Sequence, residues 1–311
     1  MPDQDENRRY RGRFAPTPSG ELHFGSLVAA MGSYLDARSQ RGEWFIRMED
    51  LDQTREVKGA ARSILLTLER FGFQWDGEIV YQSQRTAAYA AAVDSLLAAR
   101  LAYPCGCSRK QIEKRADSGA EGAIYPGTCR GGVPNGRQER SIRVLTNDQT
   151  ITIEDSLQGP ISQRLNREIG DFVIRRADGY HAYQLAVVID DAWQGITDVI
   201  RGVDLLSSTP RQHYLQRLLK LPHPGYAHLP LAVDDQGRKL SKQDKDAPVD
   251  PARPIASLLH ALNFLNQPLP PQRPDSLEAF WDWAVTNWSL ATVPGNLQIP
   301  AASRRNLKSL R

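Results

Sequence analysis

Several features that define whole classes of protein are scarce or absent in this chain of 311 residues. It has only three cysteines, an odd number that argues against a disulfide framework and favours a reducing compartment. No apolar run is long enough to span a bilayer, and the charged segment 3–13 lacks the apolar core of a signal peptide. We therefore expect a cytoplasmic protein without a membrane segment. The net charge is only +3, so nucleic-acid binding would depend on local basic clusters, such as Arg109 with Lys110.

The first hundred residues alternate between strand and helix patterns. Aromatic and branched residues predict strands at 11–14 and 43–48, and apolar residues at helical spacing predict a helix over 26–38. Further helical patterns follow before residue 105. This alternation predicts an α/β fold with a Rossmann-type, doubly wound parallel sheet.

The pattern changes twice further along the chain. Residues 105–181 hold the cysteines, many glycines and short strand-like segments, which predicts an insertion between two halves of the core. From residue 251 the pattern is helical again. We therefore predict a catalytic domain over 1–250 with the insertion at about 105–181, followed by a short helical C-terminal region over 251–311.

A short segment after the first strand is suited to binding a nucleotide. His23, Gly25 and Ser26 stand at the start of the helix predicted over 26–38, and the N-terminus of a helix favours phosphate. Gly25 has no side chain, so a flat base can lie against the backbone, and His23 can donate a hydrogen bond to a phosphate oxygen. The alternative is that His23 merely begins a helix in an ordinary α/β unit.

A lysine-containing segment much later in the chain can complement the first. Lys239 and Lys242 follow a strand-like run and the turn residues 234–237. Mobile cations there can stabilise negative charge that develops on phosphates in a transition state. A solvated surface loop is the alternative, since lysine-rich loops are common. Together the two segments predict activation of a carboxylate by ATP.

The three cysteines lie close together in the sequence. Cys105 and Cys107 form a Cys-x-Cys pair, and Cys129 follows in the same insertion. Thiolates bind zinc well, but a structural zinc site has four ligands, and no histidine lies nearby. Tyr125 could supply a phenolate oxygen, although tyrosine is an unusual ligand. Three buried free cysteines are the alternative.

These segments, in this order, resemble the signatures of class I aminoacyl-tRNA synthetases, and among them the glutamyl-tRNA synthetases. The chain is most similar to their truncated paralogues, the glutamyl-Q tRNA(Asp) synthetases. The resemblance extends from residue 13 to residue 243 and is carried by RFAPTPSG at 13–20, RMED at 47–50, YQLAVVIDD at 183–191, GITDVIRGVD at 195–204 and the lysine segment. Ser26 replaces the second histidine of the first signature, as expected for the truncated members.

The resemblance implies the roles of individual residues. His23, Lys239 and Lys242 would be catalytic, and they would bind ATP, with its Mg²⁺, together with Gly25 and Ser26. Arg13 and Arg201 can each make bidentate contacts to a carboxylate of glutamate, and Glu49 can take its ammonium group. Which arginine takes which carboxylate is left open. Thr17 and Tyr183 would complete the glutamate site, and structural Zn²⁺ would be held by Cys105, Cys107, Tyr125 and Cys129.

The resemblance also implies a reaction. The chain after Lys245 has 66 residues, too few for the large anticodon-binding domain of a full synthetase. The expected activity is ATP-dependent formation of glutamyl-adenylate and transfer of glutamate to queuosine at the wobble position of tRNA(Asp), by a monomer. Two alternatives are a short glutamyl-tRNA synthetase that charges a tRNA 3′ end and a catalytically silent tRNA-binding module.

Overall fold

The computed structural model describes residues 9–52, 54–119, 121–233 and 248–301. The strands within them are β1 (Arg11–Phe14), β2 (Glu43–Met48), β3 (Val80–Tyr81), β4 (Ala102–Cys105), β5 (Ser118–Gly119), β6 (Gly122–Ala123), β7 (Ser141–Val144), β8 (Thr150–Asp155), β9 (Gly159–Arg164), β10 (Val173–Arg175), β11 (Asp198–Gly202), β12 (Gly225–Leu229), β13 (Leu231–Val233) and β14 (Gln298–Pro300). The helices are α1 (Phe24–Ser39), α2 (Ala60–Arg70), α3 (Thr86–Ala98), α4 (Arg109–Glu113), α5 (Leu165–Glu168), α6 (Tyr183–Trp193), α7 (Thr209–Leu219), α8 (Pro254–Phe264) and α9 (Leu277–Thr286).

The central strands are parallel, as the alternating pattern predicted. β1 pairs with β2 and β2 with β3, while β11 pairs with β12. The two groups adjoin at β1, where the Thr197 N–H donates to the Arg11 carbonyl oxygen at 2.9 Å. The predicted bounds of β1 and β2 are confirmed, because both strands are runs of side chains that the fold buries almost completely.

The predicted insertion is built from antiparallel strands. β4, β7 and β10 form one small sheet in the order β10-β7-β4. The β8–β9 hairpin instead extends the core sheet, because β8 meets β12 in a parallel bridge between Asp155 and Tyr226. Part of the predicted insertion is therefore continuous with the parallel core, and Asp155 lies beside β12.

The C-terminal helices pack on the first half of the core. Trp281 of α9 lies with its ring centroid 4.8 Å from those of Tyr34 and Phe73, and its indole N–H donates to the Phe71 carbonyl oxygen at 3.0 Å. The indole N–H of Trp288 donates to Asp36 at 2.9 Å. Buried aromatic rings contribute large apolar area and satisfy their polar atoms in this way. These helices thus share one hydrophobic core with α1 and β2.

The longest helix of the described chain, α1, has 16 residues, and no helix in these residues is both long and apolar enough to cross a membrane.

Candidate active site

A cavity of about 470 Å³ opens at the carboxyl ends of β1, β11 and β12. Rossmann-type sheets bind ligands at this edge, because the loops that follow parallel strands converge there. The cavity is lined by every described residue that was predicted to bind ATP or glutamate: Arg13, Thr17, His23, Gly25, Ser26, Glu49, Tyr183 and Arg201. Lys239 and Lys242 lie outside the described residues.

His23 is the N-cap of α1 and also lines the cavity. Its Nδ1 accepts a hydrogen bond from the Ser26 N–H at 3.2 Å, and its Nε2 lies 3.0 Å from the Ser26 hydroxyl. Since a neutral ring that accepts at Nδ1 carries its proton on Nε2, the Nε2–H is the donor this ring can offer. The two interpretations of His23, as a residue that merely begins a helix and as a donor to a phosphate of ATP, are therefore compatible. His23 caps α1, and it stands at the helix end that favours phosphate.

Arg13 is held by a buried ion-pair network below the cavity. Its Nε lies 3.2 Å from Asp191, and Arg47 approaches the same carboxylate oxygen at 2.8 Å. Burial alone would raise the pKa of Asp191, but the two guanidinium groups hold it below its usual range. Asp191 thus stays ionised and fixes Arg13 at the cavity wall.

Asp190 continues this network on the far side of Arg47. It accepts hydrogen bonds from Gln82 at 2.8 Å, Arg85 at 2.6 Å and the Tyr89 hydroxyl at 2.6 Å. Arg47, Asp190 and Asp191 belong to the motifs that carry the resemblance, but their pairing was not predicted from the sequence. The sequence did contain an indication of this pairing: all three are charged residues in or beside apolar runs, and charged residues are rarely buried unless they are paired.

Glu49 stands between the network and the cavity. Its carboxylate lies 3.5 Å from Arg47 and its side chain is only 11% exposed. Burial raises the pKa of Glu49, and the nearby Asp191 adds to this, while Arg47 and Arg13 oppose it without cancelling it. A cationic group that enters the cavity would stabilise the ionised form of this carboxyl.

Arg201 also lines the cavity and is 4% exposed. Its NH1 lies 3.4 Å from the Tyr183 hydroxyl, its NH2 donates to Thr209 at 2.8 Å, and its Nε donates to Nε2 of His228 at 3.0 Å. Tyr183 also lines the cavity, so the NH1 edge is the part of the guanidinium group nearest to it. Two fixed arginines, Arg13 and Arg201, and the acid Glu49 therefore line one cavity.

The three cysteines form a compact cluster with Tyr125 in the small antiparallel subdomain. The sulfurs of Cys105, Cys107 and Cys129 lie within 4.8 Å of one another, and those of Cys107 and Cys129 are 3.7 Å apart. The Tyr125 hydroxyl lies 3.3 Å from Cys105 and 3.8 Å from Cys107. Four ligands around a tetrahedral zinc ion, with zinc–sulfur bonds of about 2.3 Å, would have sulfurs about 3.8 Å apart. The donor set therefore fits zinc.

Arg143 supplies positive charge to this cluster. Its guanidinium carbon lies 3.9 Å from the centre of the Tyr125 ring, and its Nε donates to the Cys105 sulfur at 3.4 Å. Burial alone would raise the pKa of the Cys105 thiol, but hydrogen bonds from Tyr125, the Cys107 N–H and Arg143 together lower it to about 7. An arginine in this position offsets the negative charge of several thiolates, whether or not a metal is bound.

Comparison with known proteins identifies the family of the chain. Residues 9–253 match the family described as "tRNA synthetases class I (E and Q), catalytic domain". A glutamyl-Q tRNA(Asp) synthetase of Chromobacterium violaceum is 54% identical over 94% of this chain and 99% of its own length. A protein of the same name from Dechloromonas aromatica is 54% identical over 93% of this chain and 97% of its own length. Another from Pseudomonas aeruginosa is 52% identical over 94% of this chain and 97% of its own length. The chain belongs to the glutamyl-Q tRNA(Asp) synthetases.

Solved structures agree with this family. A glutamate tRNA ligase from Elizabethkingia meningosepticum, in complex with its amino acid, superposes with a TM-score of 0.78 at 25% identity. The alignment covers 93% of this glutamyl-Q tRNA(Asp) synthetase family member but 66% of the longer ligase. A glutamate-tRNA synthetase from Elizabethkingia anophelis gives a TM-score of 0.77. The predicted class I synthetase fold, ligase class and family are thus confirmed, and the family implies tRNA, glutamate and ATP as substrates.

Proposed function

We propose that this protein activates glutamate with ATP and transfers it to queuosine at the wobble position of tRNA(Asp). One observation carries the proposal: a single cavity brings two buried arginines and Glu49 beside the N-terminus of α1. The arginines match the two carboxylates of glutamate, Glu49 matches its ammonium group, and the helix end matches a phosphate. The tRNA is proposed from the names of the relatives, and the cytoplasmic location and monomeric state stay predictions from the sequence.

The chemistry divides into two displacements. In the first, a carboxylate oxygen of glutamate attacks the α-phosphorus of ATP, and pyrophosphate leaves. Arg13, Arg201, Glu49, Thr17 and Tyr183 would hold glutamate for this step. His23, with Gly25 and Ser26, would bind ATP at the start of α1, and Mg²⁺ bound to ATP would neutralise phosphate charge. In the second, a hydroxyl of the queuosine side ring attacks the acyl carbon, and AMP leaves.

The decisive experiment compares acceptor RNAs with a common enzyme preparation. An anticodon stem-loop of tRNA(Asp) with queuosine is expected to accept labelled glutamate. The same stem-loop with guanosine is the matched control and should accept none, because guanosine lacks the side-ring hydroxyls. Charging of tRNA(Glu) at its 3′ end would instead favour the short glutamyl-tRNA synthetase. An absence of glutamate-dependent ATP–pyrophosphate exchange would favour the silent tRNA-binding module.

The raised pKa of Glu49 predicts that glutamate binding depends on pH. The ammonium group of glutamate needs the ionised carboxylate, and burial raises the pKa of Glu49 above its usual value of about 4.3. The glutamate KM in ATP–pyrophosphate exchange should therefore rise as the pH falls through this raised pKa. Glu49→Gln should weaken binding about tenfold or more, the scale of a lost hydrogen bond to a charged group, and should flatten this part of the profile. An unchanged pH profile in Glu49→Gln would assign the titration to another group.

We propose that Cys105, Cys107, Tyr125 and Cys129 hold a structural zinc ion. The purified protein should contain about one zinc per chain, because closed four-ligand sites bind tightly and contribute to folding. Tyr125→Phe keeps the ring under Arg143 but removes the oxygen, so it should lose zinc to a chelator faster than the unmodified protein. Tyr125→Cys, which supplies a fourth thiolate in place of the phenol oxygen, is the matched control and should retain zinc. A metal-free protein with an unchanged melting temperature would contradict the site.

A further inference from the structure

His228 and Asp155 form a buried hydrogen-bonded pair behind Arg201. Nδ1 of His228 lies 2.5 Å from Oδ2 of Asp155, and both side chains are fully buried. On the other side of the ring, Nε2 of His228 accepts the Nε–H of Arg201 at 3.0 Å. Neither His228 nor Asp155 lines the cavity. They come from neighbouring strands, β12 and β8, which the fold joins at this point.

Asp155 and Arg201, which lie on either side of the His228 ring, determine which ring nitrogen carries the proton. The Nε–H of the Arg201 guanidinium group can only donate, so Nε2 of His228 must offer a lone pair. The proton of the neutral ring is then on Nδ1, where it donates to Asp155. Burial lowers the pKa of His228, and the nearby Arg201 adds to this against the opposing effect of Asp155, so the ring stays neutral. Burial alone would raise the pKa of Asp155, but the hydrogen bond from His228 and two backbone N–H groups lower it.

We infer that Asp155 and His228 are positioning residues that set the orientation of Arg201 toward the glutamate substrate. The inference rests on the proposed function of Arg201. A guanidinium group makes a bidentate contact only in its own plane, so a rotated group loses both directed bonds at once. The hydrogen bond at Nε, with that from NH2 to Thr209, determines that plane and leaves the NH1 edge beside Tyr183 at the cavity.

Asp155→Asn tests the tautomer while preserving shape. Oδ1 of Asp155 accepts the N–H groups of Leu157, Gln158 and His228 at 3.0, 2.9 and 3.2 Å, so the oxygen of an asparagine would remain there. The asparagine NH₂ would then face Nδ1 of His228 and move the ring proton to Nε2. The Nε2–H and the Arg201 Nε–H would then oppose each other, and the Nε2–H would compete with Arg201 for the Thr209 hydroxyl oxygen, which lies 3.2 Å from Nε2 and accepts from NH2. We expect the glutamate KM to rise about tenfold or more, the scale of one hydrogen bond to a charged group, with the ATP KM unchanged.

Two substitutions of His228 distinguish a role in orienting Arg201 from a purely structural role of the side chain. The glutamine oxygen in His228→Gln can replace Nε2 as the acceptor for Arg201. The shorter side chain in His228→Asn can replace only the Nδ1 donor to Asp155. Positioning predicts a glutamate KM close to the unmodified value for His228→Gln and raised about tenfold for His228→Asn. A purely structural role, which depends on the contact with Asp155, predicts the reverse order.

Glutamate-dependent ATP–pyrophosphate exchange without tRNA gives both KM values, and melting temperatures verify folding. The double variant Asp155→Asn with His228→Gln should recover the glutamate KM, because a glutamine oxygen accepts from Arg201 whatever stands at 155. An unmodified enzyme without glutamate-dependent exchange would refute the proposed function itself. Normal exchange with an unchanged glutamate KM in a folded Asp155→Asn would refute the positioning role alone. If His228→Asn does not fold, the isosteric Asp155→Asn and the double variant decide.

Discussion

Replacement of Arg47 by methionine should destabilise the protein by about 3 kcal/mol or more, because it removes a buried cation that three carboxylates share. Arg47 is fully buried and approaches Asp191 at 2.8 Å, Glu49 at 3.5 Å and Asp190 at 4.0 Å. Burial alone would lower the pKa of Arg47, but Asp191, Glu49 and Asp190 together raise it, so the ionised state is favoured. Removal of one partner from such a network typically costs about 3–5 kcal/mol.

The lower end of that range is expected for Arg47→Met. Asp191 keeps Arg13 at 3.2 Å and Asp190 keeps Arg85 at 2.6 Å, so each retains one cation. Arg167→Met is a matched control, because Arg167 pairs with Asp148 on the surface, where both side chains are more than half exposed. Such pairs contribute about 0–1 kcal/mol. Urea denaturation of both variants measures the difference, and equal shifts in the transition midpoint would contradict a stabilising role for Arg47.

The strands and helices of the core were largely predictable, because their signal is local. Aromatic and branched residues predicted the bounds of β1 and β2, and helical spacing over 26–38 predicted α1, which extends from Phe24 to Ser39. The β8–β9 hairpin was not predicted as part of the core sheet. Its attachment is a single bridge between Asp155 and Tyr226, and no periodic pattern within either strand indicates its partner.

The candidate site was predictable only in part, for the same reason. The resemblance indicated residues that would touch substrates, and the structure places the described ones around a single cavity. The residues that hold them were missed, since Arg47 and Asp191 are 144 positions apart and Asp155 and His228 are 73 apart. Pairing over such separations is a property of the tertiary fold. The cysteine cluster was found in the sequence because its members lie in one short segment.

The lysine segment is the part of the proposed site for which sequence supplies the whole argument, since Lys239 and Lys242 lie outside the described residues. Negative charge increases on the α-phosphate as glutamate attacks and on pyrophosphate as it leaves. Arg13, Arg201 and Glu49 are assigned to glutamate, and His23 in its neutral form offers a donor but no charge. Apart from the Mg²⁺ of ATP and the N-terminus of α1, none of these groups offers positive charge to the phosphates, and we propose that Lys242 of the signature segment supplies it.

Lys242→Ala should lower the rate of glutamate-dependent ATP–pyrophosphate exchange by about a hundredfold or more, the scale of one lost preorganised contact to developing charge. Because the contact strengthens in the transition state, the loss should appear in kcat, while the KM for glutamate changes little. Lys245→Ala removes an equal charge from the same segment outside the signature and is the matched control. A near-normal rate in Lys242→Ala would show that Lys242 does not act on the phosphates. Equal losses in the two variants would instead assign the effect to general attraction from the segment.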